Sequence, residues 1–318
     1  MKGKKKNLDF IFKLLRRNYK RSPLVLSLLI KIIPNLFTLE KRYPRLFFPL
    51  ILLILGGLYG YELYARSQMI YMGIPKVLDK TSPYTWTRIF RNHGYIVGYS
   101  DLRGNPLWVS YLLKPVSENT PSYKRPPRFS SDWRNFYLTD HDSYTGSGYD
   151  RGHMAPNYAI SHIYGQIGQL DTFKITNITP QTKNLNEKLW ERLEEVGINH
   201  FAKQFGEVRV FTGPIFGDNP QRLKSSFLIQ VPESFYKIYL VPPKEKGEIP
   251  KVLAFIMPQK VRGNEPLDRY LVSVDEVEEK TGFDFFHKLD DQIEQKLEAE
   301  INPNPWDLKS VSKLPSRY

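Results

Sequence analysis

The sequence has 318 residues, of which 41% are hydrophobic and 25% are charged, and it contains no cysteine. This composition is typical of one large or two small folded domains, and it excludes disulfide bonds and any cysteine nucleophile. The net charge is +13, but residues 1–46 hold 13 of the 46 Lys and Arg residues and only two of the 33 Asp and Glu residues. The rest of the chain is therefore close to neutral, so any basic surface on it must be local.

Residues 1–45 are predicted to form a basic segment in the cytoplasm. Within it, Leu24–Leu39 are predicted to form an amphipathic helix on the anionic inner leaflet of a membrane, which attracts Lys and Arg residues. A second membrane span over the same stretch stays open as an alternative. Lys31 and Pro34 interrupt that span, and a hairpin of two spans would place the most basic residues outside.

Residues 46–65 are predicted to form a transmembrane anchor. The run Leu46–Tyr61 has no charged residue, and its extension to Ala65 adds only Glu62. About twenty residues suffice to cross a hydrocarbon layer roughly 30 Å thick. Because Lys and Arg mark the cytoplasmic side of a span, the sequence predicts a single-pass protein with residues 66–318 outside the cytoplasm. A buried core helix and a signal peptide cleaved near Ala65 are alternatives.

An α/β domain is predicted over residues 66–301, followed by a loose C-terminal tail over 302–318. Alternating patterns and turn signals indicate strands over Gly94–Asp101, Leu107–Leu113, Val208–Thr212, Phe227–Gln230, Ser234–Leu240 and Lys251–Met257. Residues 115–148, rich in Pro, Ser, Asp and Gly, are predicted to form a long functional loop. Helices are predicted over residues 186–205, 275–281 and 284–301.

The segment Tyr149–Pro156, YDRGHMAP, sets an acid, a guanidinium and an imidazole within four residues. A histidine can take a proton from water near neutral pH, and an arginine can grip a phosphate through two parallel hydrogen bonds. Gly152 is expected to let the backbone turn tightly between these groups. Such groups are suited to cleaving a phosphodiester, although the same short motif also fits a loop with a surface Asp-Arg ion pair.

The second informative segment is the helix predicted to begin at about Asn186. Apolar residues recur along one face at positions 185, 189, 193 and 196, with Trp190 beside them. Asn186 and Glu194 are eight residues apart, which places an amide oxygen and a carboxylate on the same side of the helix. Such a pair can hold a hydrated Mg²⁺ ion, since this ion often takes only one or two protein ligands. The alternative is an amphipathic surface helix with both polar side chains solvated.

Together the two segments resemble the DNA/RNA non-specific endonuclease family, the endonuclease G-like ββα-metal nucleases. The family pattern is Asp-Arg-Gly-His, followed by an Asn, a Pro-Gln pair, a second Asn, a Trp and a Leu-Glu. In this sequence the pattern falls on Asp150, Arg151, Gly152, His153, Asn177, Pro180, Gln181, Asn186, Trp190 and Glu194. The resemblance covers most of the predicted α/β domain. It departs from the pattern at Glu187, where many relatives carry Gln.

The resemblance implies an α/β fold of the ββα-metal nuclease type, with a central antiparallel sheet flanked by helices. It implies that His153 is the general base that activates water and that Asn186 is the direct ligand of one Mg²⁺ or Mn²⁺ ion. By the same resemblance, Glu194 and Asp150 hold waters of that ion, and Arg151 contacts the phosphate. The cation then neutralises charge that develops on the phosphate and on the leaving oxygen.

Two other parts of the site follow from the resemblance with less detail. Asn177 is expected to orient the site through hydrogen bonds. Arg125 and Arg128 both lie where relatives place a phosphate-binding arginine, and the sequence does not choose between them; either one fits a solvated charge cluster equally well.

The leading prediction is a metal-dependent endonuclease that hydrolyses phosphodiester bonds of DNA and RNA, is tethered to a membrane through residues 46–65 and can form a homodimer. An alternative is a membrane-anchored nucleic-acid-binding protein on a nuclease scaffold with little turnover. A third is hydrolysis of another phosphodiester, because a metal and a base do not define the substrate. A structural zinc site is not expected, since the other five histidines have no metal-ligand spacing and cysteine is absent.

Overall fold

The computed structural model describes residues 43–315, apart from 118, 138 and 246. The chain divides into two units, Met1–Ala65 and Arg66–Tyr318. The predicted basic segment, with its helix or second span over Leu24–Leu39, lies almost entirely outside the described residues. Both possibilities for that stretch therefore stay predictions.

Helix α1, Pro44–Ser67, contains the predicted anchor. An 18-residue window within Arg45–Ser67 has a mean hydropathy of 1.8, and none of that window is buried within the described part of the chain. A core helix of a folded domain would have most of such a window covered by protein. By length and composition α1 is suited to span a membrane, and the same properties are found in a signal sequence.

The strands of the second unit are short or of medium length, and most of their residues are buried. In chain order they are β1 Lys76–Val77, β2 Arg88–Arg91, β3 Tyr95–Ser100, β4 Asn105–Leu113, β5 Asp150–His153, β6 Ile178–Gln181, β7 Val208–Ile215, β8 Arg222–Leu223, β9 Ser226–Gln230, β10 Ser234–Val241, β11 Lys251–Pro258, β12 Leu271–Val272 and β13 Phe283–Asp284. Within the described residues, seven of them form one sheet in the order β12-β11-β10-β7-β4-β3-β2. Every neighbouring pair in it is antiparallel, which confirms the predicted central antiparallel sheet.

Helices cover both faces of this sheet. They are α2 Asn157–Thr172, α3 over residues 185–205, α4 Val274–Thr281, α5 Asp291–Ala299 and α6 Leu308–Val311. Successive residues of a strand point to opposite faces, so neighbouring strand residues belong to different cores. Val97 packs in one core with Leu193 of α3, whereas Ile96 packs in the other with Val277 of α4 and Leu297 of α5.

The last predicted helix is shorter than the sequence suggested. The prediction of a helix over residues 284–301 was wrong at its start, because Asp284 belongs to β13 and pairs with Lys76 of β1. The helix begins only after Asp290, whose carboxylate accepts a hydrogen bond of 3.1 Å from the backbone N–H of Gln292. A carboxylate in this capping position stabilises a helix N-terminus and ends the irregular chain before it.

The prediction of a loose tail over residues 302–318 was also wrong for its described part. Trp306 is buried, and its ring centroid lies 4.9 Å from those of Phe201 and Phe205 on α3. The guanidinium of Arg192 donates hydrogen bonds to the carbonyl oxygens of Ser312 and Leu314 at 2.8 and 2.7 Å. The tail therefore helps to fix α3, the helix that carries two predicted site residues.

Candidate active site

The Asp-Arg-Gly-His segment forms strand β5, which pairs with β6 in an antiparallel hairpin. Gly152 lies opposite Thr179, and a Cβ atom on it would come within 1.9 Å of the side-chain oxygen of Gln181. Gly152 does not have a positive φ angle and lies within the extended strand β5, so the prediction that it makes a tight turn was wrong. The glycine is needed because the Gln181 side chain lies directly against the strand at this point.

The chain leaves β6 and enters α3, so that two strands and a helix surround the site. The helix alternates between π-helical Leu185–Trp190 and Gly197–Phe201 and α-helical Glu191–Val196 and Ala202–Phe205. Single π turns within helices are frequent at functional sites. The predicted apolar face is confirmed, since each of its members is buried: Leu185, Leu189, Trp190, Leu193 and Val196.

With that face held in the core, α3 presents its polar residues to a cleft of about 430 Å³. Four predicted site residues line this cleft: Arg151, His153, Asn186 and Glu194. Arg125 also lines it, from the long loop that was predicted over residues 115–148. The fold thus brings together an imidazole, an amide, a carboxylate and two guanidinium groups from three separate segments of the chain.

His153 is packed at the side of the cleft between two phenylalanines. Its ring centroid lies 5.3 Å from that of Phe129 and 5.2 Å from that of Phe173. Burial, with the nearby Arg125 guanidinium, lowers the pKa of His153 to about 3. Its Nε2 is buried without a hydrogen-bond partner among the described residues. The imidazole is therefore neutral at physiological pH and has a nitrogen in need of a partner, as a proton acceptor requires.

Asn177 lies behind the cleft and fixes the backbone that follows His153. Its Oδ1 accepts a hydrogen bond of 2.8 Å from the N–H of Ala155, and its Nδ2 donates to the carbonyl oxygens of Ala155 and Thr172 at 3.0 Å. Its own carbonyl oxygen accepts from the N–H of Met154 at 3.0 Å. A buried amide with all these bonds satisfied holds the end of β5 in one position.

Asp150 also acts from behind the cleft, through Asn186. Its Oδ2 accepts a hydrogen bond of 3.2 Å from Asn186 Nδ2, so the amide oxygen of Asn186 is the atom left to bind a ligand. Amide and carboxylate oxygens are ligands for Mg²⁺, and a carboxylate behind a ligand fixes its orientation. Together with Glu194 in the same cleft, this donor set fits a hard divalent cation that keeps most of its waters.

Lys237 on β10 belongs to this site and was missed in the sequence. Its Nζ lies 3.3 Å from Glu194 Oε1 and 4.2 Å from the ring centroid of Trp190, and its side chain is fully buried, whereas that of Glu194 is 19% exposed. Burial raises the pKa of Glu194 and lowers the pKa of Lys237, and their mutual attraction opposes both changes. A lysine within the largely apolar strand Ser234–Val241 was the signal that could have identified it.

The arginines of the site differ in their surroundings. Arg151 donates hydrogen bonds to the carbonyl oxygen of His141 and to Thr145 Oγ1, at 2.9 and 3.0 Å from its Nη2. Arg128 forms an ion pair of 2.5 Å with Asp142 and its side chain is 60% exposed. Arg125 instead lies against the Phe173 ring, 5.5 Å from its centroid, and lines the cleft. Of the two arginines left open by the sequence, Arg125 is the one in the cleft.

Comparisons with known proteins agree with this architecture. The profile of the DNA/RNA non-specific endonuclease family matches residues 76–292. Nuclease C1 of Cunninghamella echinulata var. echinulata is 31% identical over 232 residues, which cover 67% of this chain and 88% of that protein. Mitochondrial endonuclease G of Homo sapiens is 29% identical over 203 residues, which cover 60% of this chain and 67% of that protein.

A solved structure shares the fold. The crystal structure of the EndoG/EndoGI complex aligns with a TM-score of 0.57 and 23% sequence identity, and the alignment covers 70% of this chain and 91% of that one. The mixed α/β fold with its antiparallel sheet is thus shared with that structure. The chain belongs to the DNA/RNA non-specific endonuclease family, which confirms the resemblance seen in the sequence.

Proposed function

We propose that this protein is a metal-dependent endonuclease that hydrolyses phosphodiester bonds of DNA and RNA, with His153 as the general base and one Mg²⁺ ion held through Asn186. The observation that carries the proposal is the cleft itself. A neutral histidine with an unpartnered buried nitrogen lines the same cleft as the amide of Asn186 and the carboxylate of Glu194. Membership of the nuclease family supports nucleic acids as the substrates.

The residues in and around the cleft have different roles in this reaction. His153 Nε2 accepts a proton from the attacking water, and Asn177 keeps the backbone beside it in place. Arg125 and Arg151 bind phosphate oxygens at the wall of the cleft. Glu194, with the Lys237 ammonium 3.3 Å behind it, accepts hydrogen bonds from water in the cleft. A bound divalent cation would neutralise the charge that develops on the phosphate and the leaving oxygen.

This proposal is tested by incubating the full-length protein, purified in detergent, with supercoiled plasmid and with RNA in Mg²⁺ or in EDTA. We expect cleavage of both substrates only when the metal is present. His153→Ala should lower turnover by about 10²- to 10⁴-fold, as is typical for the loss of a general base, and should still bind nucleic acid. His200→Ala, an exposed site on α3, is the matched control and should cleave normally.

Two results of that assay would contradict the proposal. Normal cleavage by His153→Ala would remove this residue from the mechanism. Tight binding of nucleic acid by the wild-type protein, without cleavage in Mg²⁺ or Mn²⁺, would instead support the alternative of a nucleic-acid-binding protein on a nuclease scaffold.

We also propose that the nuclease domain is anchored by α1 and lies outside the cytoplasm. The support is the apolar helix Arg45–Ser67 together with the net charge of +11 before residue 47. An enzyme that cuts without sequence preference spares the nucleic acid of its own cell when a membrane separates the two.

Protease added to intact cells should digest an epitope at Tyr318 and spare one at Met1. Protection of the tag at Tyr318 would contradict this orientation, and a soluble enzyme that begins near Arg66 would indicate a cleaved signal. Homodimer formation stays a prediction.

A further inference from the structure

Three acidic side chains converge on the face of the sheet opposite α3. Asp284 lies on β13, and Glu294 and Glu298 lie on α5. One carboxylate oxygen from each residue lies within 4.8 Å of those of the other two. We call these three residues the acidic triad. The cleft residues come from other segments of the chain, so the triad is a separate site.

Two features set the acidic triad apart from ordinary surface acids. Glu298 is only 6% exposed, and its Oε1 is buried without a hydrogen-bond partner among the described residues. Asp284 Oδ1 is buried without a partner in the same way. A buried carboxylate oxygen without a hydrogen-bond partner or a bound cation destabilises the folded state. Buried oxygens of this kind in folded proteins therefore normally have such a partner.

The side chains around the acidic triad do not satisfy these oxygens. Lys76 Nζ reaches the other oxygen of Asp284, Oδ2, at 3.2 Å, and its own side chain is mostly exposed. The Nδ1 of His287 lies 4.0 Å from Asp284 Oδ1, which is too long for a hydrogen bond. Glu294 and Glu298 are four residues apart on one helix face, where like charges destabilise a helix.

Further negative charge adjoins the acidic triad. Glu298 also forms a second close group with Asp275 and Glu278 of α4, again with oxygens within 4.8 Å of one another. Burial and these neighbouring carboxylates raise the pKa of Glu298 to about 9 and that of Glu278 to about 7. In the absence of a cation, protons must therefore neutralise part of this charge.

We propose that Asp284, Glu294 and Glu298 bind a calcium ion. The donors are all carboxylate oxygens, and Ca²⁺ takes six to eight oxygen ligands in flexible geometry, with carboxylates binding through one or both oxygens. Mg²⁺ demands a smaller octahedral site and gives up its waters reluctantly, and Zn²⁺ prefers nitrogen and sulfur ligands. A bound Ca²⁺ would satisfy both unpartnered oxygens and would join α5 to β13.

The test is thermal unfolding of the full-length protein in detergent, on an Asn186→Ala background that removes the cleft's proposed ligand. With CaCl₂ at about ten times its Kd we expect Tm to rise by about 4 °C, and EDTA should reverse the rise. The same concentration of MgCl₂ should have a smaller effect. Adding Glu298→Gln should abolish the calcium-dependent rise, and so should Glu294→Gln, a partly exposed position that tests the site if the buried variant fails to fold.

The matched control is Glu279→Gln, which removes one charge from an exposed position on α4 and should keep the full calcium-dependent rise. Either of two results would overturn the proposal. One is a Tm of the Asn186→Ala protein that does not change with calcium. The other is an equal rise in the variants with and without Glu294→Gln, which would place the ion elsewhere on the protein.

Discussion

Glu194 and Glu298 are two largely buried glutamates on opposite faces of one sheet, and they differ in the charge of their nearest neighbours. Burial raises the pKa of both carboxyls. Glu194 has the fully buried ammonium of Lys237 at 3.3 Å. Glu298 has carboxylates as its nearest charged neighbours, those of Asp284 and Glu294 among them.

This difference determines what sets the charge of each site. On the cleft side, the Lys237 ammonium on a central strand lies beside the carboxylate and opposes the rise in its pKa that burial causes. In the acidic triad Lys76 offsets only part of the charge, through Asp284 Oδ2, and the remaining neutralising charge must come from solution, as protons or as a cation. The carboxylate of the proposed active site thus has a cationic partner within the fold, whereas Glu298 Oε1 in the proposed calcium site has no hydrogen-bond partner among the described residues.

Removing the Lys237 ammonium group beside Glu194 should have the largest effect on stability. Lys237→Met leaves Glu194 partly buried and unpaired, and breaking a buried ion pair costs about 3–5 kcal/mol of unfolding free energy. Urea unfolding should show this loss, and the nicking rate should also fall. The double variant Glu194→Gln/Lys237→Met should recover most of the stability but not the rate. If Lys237→Met alone is as stable and active as the wild type, the pairing has no role.

Removing one charged group from the acidic triad should raise the stability of the protein instead of lowering it. In EDTA, Glu298→Gln removes one of several crowded carboxyls, so its Tm should lie above that of the wild type. A drop in Tm as large as that of Lys237→Met would show that Glu298, too, is paired within the fold, and the contrast between the two sites would be lost.

A smaller effect should come from His153, the buried base of the cleft. The unfolded chain binds a proton at His153 near pH 6.5, but the folded protein binds it only near pH 3. Between these values the unfolded state binds more protons, so stability falls as pH falls, by up to about 1.4 kcal/mol per pH unit. Urea midpoints at pH 7.5, 6 and 5 should show a steeper loss for the wild type than for His153→Gln. An equal pH dependence of the urea midpoints in the two proteins would mean that His153 has the same pKa in the folded and unfolded states.

The smallest effect should distinguish the two arginines. Arg125→Ala should raise KM for plasmid DNA roughly tenfold and should reduce the slope of log KM against log salt by about 0.9, the value for one lost phosphate contact. Arg128→Ala should change KM by less than about twofold, because an exposed ion pair such as Arg128–Asp142 contributes little. The reverse order would place Arg128, not Arg125, on the substrate.

The sequence predicted those parts of the molecule that depend on neighbours along the chain. The apolar face of α3 follows a local repeat, and the four longer strands between Val208 and Pro258 follow local alternation, so both were found, whereas the two-residue strand β8 was not. Helix α2 was not predicted, because two glycines and several β-branched residues weaken its pattern, and the chain is kinked at Gly165.

Contacts between distant residues could not be predicted in this way. Lys237 is 43 residues from Glu194, and only the stacking of β10 beneath α3 brings them together. The requirement for Gly152 depends on the Gln181 side chain of the next strand. Trp306 lies in a segment with loop-forming prolines, and its burial depends on a pocket formed by phenylalanines of α3.

The most direct test of the proposed active site is the Mg²⁺ dependence of plasmid nicking by the wild-type protein and by Asn186→Ala. Because the amide oxygen of Asn186 is the proposed protein ligand of the ion, the variant should need at least about ten times more Mg²⁺ for its half-maximal rate and should reach a much lower maximum. Asn199→Ala, a partly exposed asparagine on the same helix, should follow the wild-type curve. Coincident titration curves for the wild-type protein and Asn186→Ala would contradict the assignment of the metal to this cleft.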